Sequence, residues 1–121
     1  MTQEIFNEWL ENIIKTERPV PEVIAYYFGI FKSDEGYQTY LIGSKEFDIN
    51  DSDWACNQDF EPKNKYLTLG QEEIHWESIL EQVKSLVINF TQTNTFKNSF
   101  FEKAQAVAIG FDDGDLFLIE K

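Results

Sequence analysis

His75 is the only histidine of the chain and Cys56 the only cysteine. Nucleophilic catalysis needs a nucleophile beside a base that a third group holds in place. His75 stands at the expected start of a long helix, where the helix dipole disfavours imidazolium but where polar residues are also commonplace. It is read as a structural or surface residue. Cys56 has no basic or histidine neighbour in sequence that would activate its thiol. It is read as a buried or half-buried packing residue. With 22 Asp and Glu, some pair of carboxylates always stands at glycosidase spacing, so such pairs carry no signal. The glycines are isolated and no phosphate-cradling loop is present. Asp48, Asn50, Ser52 and Asp59 fall at the offsets of a calcium-binding loop. Asp53 replaces its turn glycine, however, Asp59 its terminal glutamate, and no helix–loop–helix pattern flanks it. No catalytic, cofactor-binding or metal-ligating residue is assigned, and the chain is not expected to be an enzyme.

The chemistry that remains is the placement of charge. Asp34, Glu35, Glu46, Asp48, Asp51, Asp53, Asp59 and Glu61 are opposed over the same stretch only by Lys45, and Asp112, Asp113 and Asp115 form a second cluster. Carboxylates around an aromatic residue suit a binder of a basic surface, because charge steers the approach and an apolar side chain anchors it. The candidate contact residues are Asp51, Asp53, Trp54, Asp59 and Glu61 in the first cluster and Asp112, Asp113 and Asp115 in the second. For Asp112–Asp115 the competing reading is a turn demanded by geometry, and the two readings are compatible. Trp54 and Cys56 are alternatively supports that hold the loop in shape.

These residues must be positioned by regular elements. Ile5, Phe6, Trp9, Leu10, Ile13 and Ile14 recur at helical spacing and predict an amphipathic helix over 3–16, capped by Thr2 and stopped by Arg18-Pro19-Val20-Pro21. Residues 23–31 are almost continuously apolar, rich in aromatic and β-branched types, and interrupted by Gly29. Followed by the turn cluster Ser33–Gly36 and the β-rich run 37–42, they predict a hairpin. The 37–42 strand could form a sheet edge. From 44 to 65 the chain is polar and irregular, a long loop whose aromatics favour order over disorder. A short strand over 66–69 ends at Gly70, and a second amphipathic helix over 75–91 carries Trp76, Ile79, Leu80, Val83, Leu86, Val87 and Phe90 on one stripe. Residues 91–98 read as a polar connection. Asp-Gly between the apolar runs 104–111 and 116–119 signals a terminal hairpin.

The expected class is α+β, an antiparallel sheet built from two hairpins and a short strand, with two amphipathic helices packed on it. Strand order is left open. At 121 residues, 42% hydrophobic and 16% aromatic, the chain is expected to fold as one domain, 1–121, with a real core. Its formal net charge of −12 favours solubility and fast capture of basic partners. The same charge argues against direct binding of nucleic acid or an anionic membrane face. A single cysteine excludes an internal disulfide and a multi-cysteine zinc site. No basic stretch followed by an apolar run opens the sequence, and no segment approaches the roughly 18 apolar residues of a membrane span, so a cytoplasmic location is expected.

The segments Tyr26–Phe31, Tyr40–Ser44, Asp53–Phe60, Lys65-Tyr66-Leu67, the helix opening at Trp76, and Gly110–Leu116 resemble small bacterial immunity proteins. Those proteins are encoded beside polymorphic or contact-dependent growth-inhibition toxins. The resemblance spans most of the chain from about Val23 onward and includes no catalytic signature. It implies a cytoplasmic protein that binds the C-terminal domain of a cognate toxin, often a nuclease with a basic groove, in a 1:1 complex without cofactor. Oligomeric state is left open. The alternative is an acidic scaffold or regulatory binding protein with no toxin partner.

Overall fold

The computed structural model describes residues 1–70, 75–112 and 114–119. Helix α1 spans Gln3–Thr16, with the Thr2 hydroxyl oxygen accepting from the Ile5 amide at 3.2 Å and Glu4 in its first turn. Its stripe buries Phe6, Trp9, Leu10 and Ile13. Strands β1 (Ala25–Ser33) and β2 (Gly36–Ser44) form the expected hairpin, paired antiparallel from Ala25↔Ser44 to Ser33↔Gly36. Gly36 takes a φ of 104° at the turn, a conformation that side-chain-bearing residues rarely adopt. Strand β3 (Tyr66–Gly70) adds to β2, and helix α2 (Trp76–Thr91) follows, with His75 as its N-cap. The polar connection over 91–98 is not wholly irregular but holds a one-turn helix, α3 (Asn94–Lys97); the Thr93 side chain caps it, and Phe96 is buried from it. Strands β4 (Ala106–Phe111) and β5 (Leu116–Leu118) complete the fold as the terminal hairpin.

The fold is α+β, and its five strands lie in the order β3-β2-β1-β4-β5. One expectation is corrected here. Both hairpins are antiparallel, but β1 and β4 pair in parallel, Ala25↔Ala106 through Ile30↔Phe111, so the sheet is mixed. Parallel neighbours need a long crossover, and the chain from β3 to β4, which carries α2 and α3, supplies it. A second correction concerns β2. It is paired on both sides, by β1 and β3, and is no edge.

Strand alternation gives the sheet two different faces. Tyr26, Phe28 and Ile30 of β1, with Val107 and Ile109 of β4, share a core cluster with Phe6, Trp9 and Leu10 of α1 and with Val83 and Val87 of α2. Side chains such as Phe6 and Leu10, which are completely buried, contribute about 1.5–3 kcal/mol each. The opposite face carries Ala25, Tyr27, Ile42, Ala106 and Ala108. No long helix covers it among the described residues. The acidic segment after β2 does so instead, by packing Trp54, Phe47 and Ala55 on it.

Candidate partner-binding face

The acidic segment is more ordered than a plain loop. Asp51 Oδ1 accepts from the Asp53 amide at 2.9 Å and caps a 3-10 turn, Ser52–Cys56. Phe60 then bridges back to Gly43 of β2. Trp54 is only 3% exposed and meets Phe47 edge to face at 5.4 Å. Of its two readings, contact anchor and support of the loop, the first is corrected and the second holds: it pins the turn to the sheet. Cys56, expected to be packed, is exposed at the end of the same turn.

Tyr40 of β2 lies flat across Gly29 of β1, where a Cβ would collide with the ring and hydroxyl of the tyrosine. From there its hydroxyl donates to Asp112 Oδ1, beyond the end of β4. The Tyr27 hydroxyl donates to the Gly110 carbonyl at 2.9 Å. Burial raises the phenol pKa of both tyrosines well above the usual range, and for Tyr40 the bond to Asp112 adds to it. Both remain neutral donors at physiological pH.

This arrangement brings the two acidic clusters together. Asp53 from the 3-10 turn and Asp112 from the hairpin line one cavity of about 290 Å³, with Tyr27, Tyr40, Cys56 and Leu116 among its walls. Beside it, Asp51 and Asp115 line a second cavity of about 490 Å³ with Asp48, Ile49 and Leu118. Asp113 lies outside the described residues. Asp59 and Glu61 belong to the same segment but are engaged within the chain. Asp59 Oδ2 accepts from the Lys45 amide at 2.8 Å, and Glu61 Oε1 lies 2.8 Å from Lys65 Nζ.

Three exposed apolar residues near these acids escaped the sequence reading. Ile49 is 73% exposed, and Leu118 is also exposed. Trp76, placed on the buried stripe of α2, is half exposed because it is the first residue of the helix; it meets Phe111 edge to face at 5.9 Å. A lone isoleucine within Asp48-Ile49-Asn50-Asp51 was the available signal, since nothing in that run gives it periodicity.

His75 Nδ1 faces the Glu77 amide at 3.5 Å, consistent with capping. Among the described residues no group of three or more His, Cys, Asp or Glu side chains could hold a metal ion. No helix among them is long and apolar enough to cross a membrane. Comparison of the chain with protein-family models, curated proteins and solved structures returned no match.

Proposed function

We propose that this chain is an immunity protein that neutralises a cognate bacterial toxin, a basic nuclease domain, by covering it with the acidic face opposite the helices. The observation that carries the reading is the meeting of Asp51 and Asp53 with Asp112 and Asp115 around two adjoining cavities. Charges dispersed over a surface for solubility alone have no reason to converge from separate elements. Concentrated on one face, they create a local potential that attracts a cationic groove and raises the association rate. Ile49, at the rim of the larger cavity, supplies the exposed apolar contact. The resemblance to immunity proteins of toxin systems points the same way.

The test is recovery of the partner by tagged protein from producing cells expressing the toxin, at low and at high salt. One stoichiometric basic partner, bound less tightly once salt screens exposed charges over about 8–10 Å, is the expected result. The double substitution Asp51→Lys with Asp53→Lys should slow association at low salt. Unchanged binding by that variant removes the 3-10 turn from the contact surface, and recovery of no partner by folded protein turns the reading to an acidic scaffold.

A further inference from the structure

We propose that the smaller cavity, between the 3-10 turn and the terminal hairpin, receives a single arginine side chain of the partner. This rests on the reading that a basic protein surface docks on this face. At about 290 Å³ the cavity falls just below the range of sites for drug-sized ligands and suits one long side chain. Its walls combine the aromatic Tyr27 and Tyr40 with two carboxylates, Asp53 and Asp112, contributed by different elements. The hydroxyls of Tyr27 and Tyr40 already donate, to the Gly110 carbonyl and to Asp112. Besides the smaller polar groups of Ser52, Cys56 and Gln58, the cavity therefore offers an occupant negative charge, carboxylate acceptors and aromatic surface. A guanidinium matches all three, because it has five donors and no acceptor, pairs with carboxylates through a planar fork, and stacks on aromatic rings.

The same sheet face shows this mode of recognition within the chain itself. Lys65 Nζ lies 5.5 Å from the centre of the Tyr40 ring and 5.4 Å from that of Tyr66, while bonding to Glu61 at 2.8 Å and to Gln58 at 3.1 Å. A cation between tyrosine rings and a carboxylate is thus an arrangement this surface already stabilises. The Asp53–Asp112 cavity shares its Tyr40 and Gln58 walls with that arrangement and adds two further carboxylates, and among the described residues no lysine or arginine lines it.

The experiment uses the full chain and does not require the toxin. Backbone amide resonances are followed by NMR during titration with a blocked Ala-Arg-Ala peptide and with its citrulline counterpart, which keeps the shape and loses the charge. The arginine peptide is expected to shift Ala55, Cys56 and Asp112 selectively, and the citrulline peptide to leave them in place. Asp53→Asn and Asp112→Asn, both isosteric, should each weaken binding about ten-fold, the loss of one charge-assisted hydrogen bond. Alkylating Cys56, an exposed residue of the cavity wall, with a maleimide should abolish the shifts. Equal shifts with citrulline, shifts spread over acids remote from the cavity such as Glu4 and Glu8, or binding that survives the Cys56 adduct would overturn the inference. Those results leave the immunity reading standing, whereas failure to recover a toxin leaves a positive peptide titration standing.

Discussion

The Tyr40 hydroxyl crosses β1 above Gly29 to donate to Asp112, a residue 72 positions later in the chain. That one contact joins the first hairpin to the tip of the last. It also orients one of the two carboxylates of the smaller cavity. The absence of a side chain at Gly29 is what lets the ring lie there. Gly29→Ala is expected to destabilise the fold by about 1–3 kcal/mol, as overpacking does. Because the conflict is with Tyr40, combining it with Tyr40→Ala should cost less than the two single effects added, a coupling readable in a double-mutant cycle by urea unfolding. Strict additivity would show that the ring does not occupy the space above Gly29.

The three tryptophans should separate cleanly in their access to solvent. Trp9 and Trp54 are 5% and 3% exposed, and Trp76 is 50% exposed. Acrylamide, being uncharged, is indifferent to the acidic surface and should quench only the Trp76 fraction of the fluorescence. Trp76→Phe is expected to leave an emission that resists quenching. A strongly quenched remainder would place Trp54 at the surface after all.

Trp54→Ala tests the pin directly. Removing the ring from its contacts with Phe47 and the second face should cost about 3 kcal/mol in global stability or in local order. Amide hydrogen exchange distinguishes these outcomes: faster exchange confined to the 3-10 turn means the tryptophan holds only that segment. Since that turn carries Asp53, partner association should fall along with its order.

Stability should decline at alkaline pH for a defined reason. Burial raises the phenol pKa of Tyr26, Tyr27 and Tyr40 above the ordinary 10.0, with the hydrogen bond to Asp112 contributing further at Tyr40. The unfolded chain therefore releases these protons first. The stabilisation is fully present below about pH 10, the unfolded value, and is lost as pH rises toward the higher folded values. Urea midpoints should fall steadily above pH 10, and Tyr40→Phe, which removes one of the three groups, should make the decline shallower. A midpoint that stays level there would contradict the buried state of these tyrosines.

Local features were legible wherever neighbouring residues share one environment. The 3.6-residue recurrence of Phe6, Trp9, Leu10 and Ile13 marked α1 to its ends, and Ser33–Gly36 marked the first hairpin turn. Trp54 shows where that reading stops. Its acidic neighbours suggested a surface position, but a polar segment can cover an apolar sheet face only by turning its few aromatic residues inward. Tyr27 and Tyr40 were read as strand material alone, because a cavity wall and a core position look the same in a β-rich run.

The sequence by itself determined the α+β class, the two amphipathic helices, both hairpins and the presence of two acidic clusters, since each depends on periodicity, turn residues or charge close together in the chain. Only the tertiary structure decided that β1 and β4 run parallel, that Trp54 faces inward, and that Asp53 and Asp112 share a cavity. Those relations join residues far apart in sequence. They are selected by how the crossover helices and the two unlike sheet faces pack together, an energy distributed over the whole core and written in no single segment.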